Sequence, residues 1–501
     1  MTTIDLTTFR GLLDDGYTVV PISLTLQLDR DTPVSLYQRF GGDRAVYLLE
    51  SAALGETTGR YSFIGVDRRW RVSVVNGETT VTGLRASATE QGPLATVRAI
   101  LGAYRTFRPP DLPDFFGGAV GYVAYDYVRR LERLPRTDEP QWPDADFSFA
   151  SAVLIVDHLR YTTTVVVNAV VEPGDEPDAV YALARSRLDD LVDTLLKPGP
   201  DRDVTVERLV ATAPNERQRI EIAPIVERLS NFTRGEYETA VRHAQEHIVK
   251  GDVFQVVISQ QFTRPTTVDP LTLYRVLRAL NPSPYMYLLS TGDAHIVGAS
   301  PEMLVRVTDG VISTRPIAGT RPRGATDDDD ARLESEILHD EKELAEHVML
   351  VDLGRNDIGR VAQEGSVRVE RLAHVERFSH LMHLVSQVSG RLRDGLDAFN
   401  ALDALFPAGT LTGAPKVRAM EIIDELEPVR RGAYGGAVGY FALSGNADFA
   451  ITIRTLYLRS GVATVSAGGG IVAHSNPTAE YRESVNKASA PLLALEIADP
   501  R

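Results

Sequence analysis

The chain has 501 residues, 43% hydrophobic and 24% charged, with a formal net charge of −15. This is a globular composition, long enough for one large domain or two to three smaller ones. It holds no cysteine, which excludes disulfides, thiolate metal sites, iron–sulfur clusters and a cysteine nucleophile. The acidic balance argues against a nucleic-acid partner, and no apolar run reaches the ~18 residues of a membrane span. The start, MTTIDLTTFRGLLDDG, lacks a basic and an apolar signal region, so a cytoplasmic protein away from membranes is expected.

Residues 1–195 alternate short β-rich runs with turns: RAVYLLES, RYSFIGVD, RRWRVSVVNGETTVTGL, SAVLIVD and YTTTVVVNAVVE read as antiparallel strands. Residues 196–230, with KPGPDRD and a polar, charged stretch, read as a linker. From 231 to 501 helices dominate. RGEYETAVRHAQEHIVKG has helical periodicity and stops at Gly251, and VFQVVISQQF follows as a strand. GGAVGY occurs at 117–122 and again at 435–440, each copy followed by ADF and an apolar strand. This predicts duplicated β-structure. The strand after the second copy carries Arg454 where the first has Ala152, so a charge for a ligand is expected in the later copy alone.

Arg315–Gly324, RPIAGTRPRG, is too broken for a helix and too basic for a core strand. Its Arg315, Arg321 and Arg323 are expected to brace the loop against acidic helices. Asp330 to about Val351 reads as one helix, with the Asp327–Asp330 run at its favourable N-terminal end. Glu343 and Glu346, three apart, share one face of it. Near the C-terminus Ser475 or Asn476 caps a second helix, with Pro477 in its first turn. Glu480 and Glu483 are again three apart, with Lys487 one turn on. Gly468-Gly469-Gly470 before that helix frees backbone N–H groups for an anion. Carboxylate-only clusters suit Mg²⁺. The alternative, a di-iron centre, would want Glu-x-x-His on two helices, and the second helix has no histidine.

GDVFQVVISQ (251–260), NPSPYMYLL (281–289), GASPEML (298–304), PIAGTRPRG (316–324), DEKELAEHVMLVDLGRND (340–357), HLMHLVSQVSG (380–390), FPAGTLTGAPK (406–416) and AGGGIVAHSNPTAEYRES (467–484) occur in the order of one family. Through these blocks the chain resembles the chorismate-utilising enzymes: anthranilate, aminodeoxychorismate, isochorismate and salicylate synthases. LLES (48–51) and GRYSFIG (59–65) look like anthranilate synthase component I. The resemblance implies an α+β fold of two orthogonally packed antiparallel β-sheets flanked by helices. Residues 1–195 would be regulatory and 231–501 catalytic.

The same resemblance implies the chemistry. Aminodeoxychorismate synthases carry a lysine nucleophile where this chain has Ala318. Isochorismate and salicylate synthases activate water with a lysine where it has Gln255, and an amide is no general base. That leaves ammonia as nucleophile. It would add at C2 of chorismate, and pyruvate elimination would then give anthranilate, the first step of tryptophan synthesis. An enzyme stopping at 2-amino-2-deoxyisochorismate is the alternative. Glu302 matches the acid that protonates the departing C4 hydroxyl, and His383, taken to lie on a helix, matches a histidine tied to elimination. Glu346 and Glu483 match Mg²⁺ ligands, with Glu343 and Glu480 beside them. Tyr434, Arg454 and the backbone of Gly468, Gly469 and Gly470 match the carboxylate grip, with Lys487 balancing the glutamates. Thr320 and Thr412 are candidate ring contacts. Glu50, Ser51, Pro282, Met286 and Tyr287 match a pocket for tryptophan as inhibitor. A separate glutamine amidotransferase subunit is the expected partner in a hetero-oligomer.

Overall fold

The computed structural model describes residues 4–51, 59–75, 77–83, 92–136, 138, 142–199, 207–209, 228–324, 326–377 and 381–500. Most of the expected linker therefore lies outside the described residues. The first half supplies β1 (Val19–Leu26), β2 (Ala45–Glu50), β3 (Tyr61–Val75), β4 (Glu78–Thr82), β5 (Gly118–Val123), β6 (Ala145–Asp157) and β7 (Thr162–Val170). The second supplies β8 (Gln255–Pro265), β9 (Tyr285–Ser290), β10 (Ala294–Ser300), β11 (Met303–Thr308), β12 (Val311–Thr314), β13 (Ile317–Pro322), β14 (Arg368–Arg377), β15 (Leu381–Arg391), β16 (Gly413–Ala414), β17 (Ala437–Ala442), β18 (Ala447–Ile451), β19 (Thr455–Arg459) and β20 (Val462–Ile471). All pairings between these strands are antiparallel, and they join the twenty strands into one hydrogen-bonded network with helices around it. The strands expected in the first half are all present.

The repeated GGAVGY is a structural repeat. β5 pairs with β17 about Gly121 opposite Gly439, so the two copies face each other across a local two-fold. A second such centre joins β2 to β9 at Leu48 opposite Leu288. The packing repeats too. A Cβ on Gly65 would lie 2.2 Å from the Tyr47 ring, and one on Gly298 2.2 Å from the Tyr287 ring. Only glycine lets a tyrosine ring lie flat on the strand at either place.

The two halves differ where the strands break. In the first half β3 and β6 run on as single long strands. In the second half the corresponding strands are cut: β10 gives way to β11 at Pro301-Glu302, and β18 to β19 at Thr452–Arg454. The two breaks are adjacent, since Ile451 N donates to Glu302 O at 3.0 Å and Ala299 N to Arg454 O at 3.2 Å. Arg454 has φ +52, a left-handed conformation costly for a side chain with a Cβ. Ala152, its counterpart, sits inside unbroken β6.

Helix Arg234–Val249 begins at a capping box of Thr233 and Glu236 and is closed by Gly251 at φ +83. Helix Pro477–Ala498 starts at Asn476, whose side chain accepts from Ala479 N. The long helix expected from Asp330 to Val351 is two helices, Asp327–Leu338 and Glu341–Gly359. The break falls at His339-Asp340 because Asp340 starts a new helix, its side chain accepting from Glu343 N at 3.2 Å. HLMHLVSQVSG also differs from expectation. His383 lies on strand β15, paired on both edges with β13 and β14. Buried Met382, Leu384 and Val385, with His383 and Ser386 buried among them, remove the alternation that would mark a strand.

Candidate active site

The basic loop at 315–324 is a strand held down by acids. Arg315 pairs with Glu376, Arg321 with Asp340 at 2.9 Å, and Arg323 with Asp330 at 2.8 Å. The bracing role read from sequence holds, although Glu376 belongs to β14 and not to a helix. β13 bulges between Ala318 and Thr320, at Gly319 with φ +54. A Cβ there would lie 2.9 Å from Ile337 and 3.2 Å from Glu343. The bulge presents the Gly319 carbonyl to His383, whose Nδ1–H donates to it at 3.3 Å. With that proton assigned to Nδ1, Nε2 is left as an acceptor. Thr320 stands opposite His383 in register.

Burial, aided by the nearby Arg454 cation, pushes the His383 imidazole down to about 4, so it is neutral at physiological pH. Glu302, at the break between β10 and β11, is the opposite case. Burial pushes its carboxyl up from 4.5 to about 7, against the opposing pull of Thr410, Lys487 and Arg454. Two titratable groups with shifts in opposite senses, both within the field of Arg454, suit paired acid and acceptor roles.

Gly468-Gly469-Gly470 is not a loop. It is the end of β20, paired with Ser259, Ile258 and Val257 of β8. β19 covers β20 only from Val462 to Val465, so the edge beyond stays open to other groups. Lys487 Nζ donates to Gly468 O there at 3.2 Å, and the Tyr434 hydroxyl, its pKa raised by burial, interacts with the Gly468 backbone. A Cβ on Gly470 would lie 2.3 Å from Gln255 Nε2, and one on Gly469 3.0 Å from Glu480 Oε2 and 3.7 Å from Glu483 Oε1. The glycines are therefore small so that Gln255 and the two carboxylates can close on the strand. Glu483 also pairs with Lys487 at 2.8 Å.

The carboxylates of helix Glu341–Gly359 form the other pair. Glu343 lies 3.6 Å from Arg321, and Glu346 is one turn further along. Among the described residues no group of three or more carboxylate or histidine ligands stands close enough to hold a metal by itself. Glu480 and Glu483 beside Gly469 are oxygen donors of the kind Mg²⁺ takes when it keeps several of its waters. Thr412 is fully buried and its hydroxyl donates to Ala408 O at 3.1 Å, leaving it as an acceptor alone.

A cavity of 460 Å³ is lined by residues of both halves. Glu50, Ser51, Met286 and Tyr287 line it. Pro282 does not; Pro284, two residues on in NPSPYMY, takes its place in the wall. Val438, Gly439, Tyr440 and Asp448, from the second GGAVGY copy and the strand after it, complete the wall and were missed from sequence. The Glu50 carboxylate is already engaged: Tyr274 OH donates to it and Arg278 lies 3.2 Å away.

Sequence reading also missed Glu427 and Arg431, a buried pair behind the glycine strand. Glu427 accepts from Ser259 N at 2.7 Å, and Arg431 donates to Val257 O at 2.8 Å and to Leu411 O. The four-residue spacing in ELEPVRR was the available signal.

Residues 44–493 match the family of chorismate binding enzymes. The chain is 47% identical to anthranilate synthase component 1 of Mycobacterium tuberculosis, covering 97% of this chain and 95% of that one. It is 44% identical to the component 1 protein of Acetivibrio thermocellus, with 97% of both covered. Among solved structures, anthranilate synthase component I from Streptococcus pneumoniae superposes with a TM-score of 0.71 at 35% identity, covering 93% of this chain and 98% of that one. The menaquinone-specific isochorismate synthase of Escherichia coli shares the fold at 18% identity and a TM-score of 0.69, covering 98% and 99%. With near-complete coverage and identity in the forties, this chain belongs to the chorismate-binding enzymes, in their anthranilate synthase component 1 branch, and is an enzyme of that kind.

Proposed function

We propose that the chain aminates chorismate at C2 with ammonia and then eliminates pyruvate to give anthranilate, the entry to tryptophan synthesis. The observation that carries this reading is Glu302, a carboxyl raised to about 7 at the break between β10 and β11. A carboxylic acid with that pKa can donate a proton near neutral pH. Gln255 and Ala318 offer neither a base nor a nucleophile, so the nucleophile must arrive competent.

In this mechanism Arg454, Tyr434 and the open edge of β20 at Gly468–Gly470 grip the enolpyruvyl carboxylate. Arg454 suits that task because its planar fork matches a carboxylate. Glu302 gives its proton to the C4 oxygen, which leaves as water while ammonia bonds to C2. Neutral His383, held by Gly319, accepts a proton at Nε2 during elimination. Glu346 and Glu483, with Glu343 and Glu480 beside them, would hold Mg²⁺, which supplies a positive charge to orient and neutralise the ring carboxylate. Lys487 offsets the glutamate charge. The 460 Å³ cavity is the place for tryptophan as inhibitor. Its ammonium would join Glu50 in the network with Tyr274.

The chain has no cysteine, so a separate glutamine amidotransferase subunit would supply ammonia from glutamine in a hetero-oligomer. No helix among the described residues is long and apolar enough to cross a membrane, and a cytoplasmic location accords with that. We read the strand network as two orthogonally packed sheets that meet at the breaks after β10 and β18, with the first half regulatory and residues 231–501 catalytic.

Anthranilate fluorescence tests the reading. The pure chain with chorismate, Mg²⁺ and ammonium should form anthranilate, and faster as pH frees NH₃. Glutamine should serve only once the second subunit is added. Robust use of glutamine by the pure chain would refute it. Accumulation of 2-amino-2-deoxyisochorismate by the unmodified chain would favour the enzyme that stops before elimination.

A further inference from the structure

Glu302 is approached from a second side. A 40 Å³ cavity is lined by Glu302, Thr314, Leu353, Asp357 and Thr410, among others. That is room for one or two waters. Leu353 and Asp357 also line a 660 Å³ cavity that reaches exposed Asn356 and Arg360. Between the small cavity and the solvent stands an ion pair, Lys416 Nζ to Asp357 Oδ2 at 2.8 Å, with Nζ also donating to Leu405 O at 3.2 Å.

Thr410 lines the small cavity beside Glu302. Its buried hydroxyl has no partner within 3.5 Å, yet it lies near enough to the Glu302 carboxyl to lower its pKa as a hydrogen-bond donor. A buried hydroxyl in that state costs stability unless a water satisfies it. The charged groups facing Glu302 are Lys487 and Arg454; those facing Asp357 are Lys416 and Arg360. Burial pushes the Asp357 carboxyl up and the Lys416 ammonium down, which brings the two closer to sharing a proton.

We propose that this passage is the proton-return route of the acid: water in the 40 Å³ cavity, ordered by Thr410, carries a proton from the Asp357–Lys416 pair to Glu302. The proposal rests on Glu302 being the acid of the amination. The balance is complete. Glu302 as the neutral acid gives its proton to the departing hydroxyl, which leaves as water, while the C2–N bond forms and nitrogen becomes a cation. The carboxylate of Glu302 then takes one proton from the passage, and Lys416 regains it through the 660 Å³ cavity, which reaches the surface at Asn356 and Arg360. The new ammonium releases one proton to the substrate cleft. Thr410 and Asp357 are positioning residues in this scheme, since neither touches substrate.

The test uses the full chain with saturating ammonium. Thr410→Val keeps the shape and removes the hydroxyl; Thr410→Ser restores it. Thr410→Val should lower kcat about 10-fold, a part of the 10²–10⁴ that a positioned proton transfer contributes. Its KM for chorismate should stay within about twofold, and its solvent deuterium effect should rise. Thr410→Ser should return kcat and isotope effect towards the unmodified values. Asp357→Asn should lower kcat with the same isotope signature, measured where its thermal melt shows it folded. Unchanged kcat and isotope effect in Thr410→Val overturn the route, as does a defect confined to KM or one that Thr410→Ser leaves in place. If the unmodified chain makes no anthranilate from ammonium, the functional reading fails first.

Discussion

Met303 stands in the wall of the 460 Å³ cavity, and its half-buried neighbour Glu302 carries the raised carboxyl of the site. Pro301 on the other side of Glu302 also lines that cavity, as do Arg315 and Ile317, the latter the first residue of the strand bearing Thr320. A molecule held there touches both segments that position the acid and the His383 partner, Gly319. It can inhibit by favouring a placement of Glu302 that serves chorismate less well.

Filling the cavity should therefore uncouple it. Ser51→Leu places four carbons in the wall from the first half, away from Glu302. Tryptophan in the micromolar-to-millimolar range should inhibit the unmodified enzyme and should inhibit the variant at least about 10-fold more weakly, a coupling of roughly 1.4 kcal/mol. Turnover without tryptophan should stay within a few-fold. A titration of both proteins at subsaturating chorismate reads this out. Equal sensitivity would remove the cavity as the inhibitor site.

Glu302 makes two predictions about pH with opposite consequences. As an acid it works when protonated, so at constant free NH₃ the rate should fall as pH rises through about 7. Its effect on stability follows from the same shift. A folded pKa above the unfolded value means that the folded state holds the proton more tightly. Stability is then greatest below about pH 4.5 and declines until pH passes about 7. The loss is about 2–3 kcal/mol, at ~1.4 per pH unit with some allowance for its partial exposure. Glu302→Gln should abolish turnover yet melt several degrees higher than the unmodified chain at pH 8, the gain shrinking towards pH 5. A variant that melts lower at pH 8 would mean that the carboxyl is not held neutral by burial.

These groups explain what was legible in the sequence. The strand Thr162–Val170 and the helix after Asn476 announce themselves through alternation and a cap, because local propensity and tertiary structure agree there. The repeat was legible as well, since Gly121 and Gly439 had to stay small for the same close approach of a neighbouring backbone. His383 was misplaced onto a helix because β15 is buried on both faces and so loses the alternation of two. The break at Asp340 and the strand interruptions at Glu302 and Arg454 depend on distant partners, and no window of sequence shows them. The swap of Pro282 for Pro284 in the cavity wall is a matter of register, which a motif cannot fix.

The carboxylate pairs predict a metal requirement. Glu346→Gln and Glu483→Gln each remove one ligand charge and should lower the rate at least about 10²-fold, the scale of one lost electrostatic contact in the transition state. Both variants should fold, because helices Glu341–Gly359 and Pro477–Ala498 are packed by other faces. Isothermal titration with Mg²⁺ in the presence of a chorismate analogue gives a readout apart from activity, and the heat should fall in both variants. Full activity in excess EDTA would exclude the assignment.

Arg431 and Glu427 test how the glycine strand is held. Their side chains are 2% and 4% exposed, so neither charge reaches solvent. Arg431 also lies over the rings of Tyr125 and Tyr434, at 4.7 and 5.6 Å from the ring centres. Through Val257 and Ser259 the pair fixes the part of β8 that pairs with Gly468–Gly470 of β20, and through Tyr434 it fixes the hydroxyl at Gly468. Arg431→Met strands a buried carboxylate and should cost about 3–5 kcal/mol. Glu427→Gln keeps an acceptor for Ser259 and should cost less. The double variant Glu427→Gln/Arg431→Met removes both charges and should be more stable than Arg431→Met alone, a coupling that a double-mutant cycle of thermal melts measures directly. In the folded fraction of each variant the KM for chorismate should rise more than kcat falls, because the carboxylate grip is loosened while Glu302 stays in place. An Arg431→Met protein that melts with the unmodified chain, or a double variant less stable than both singles, would show that the pair does not act as the buried support of the strand.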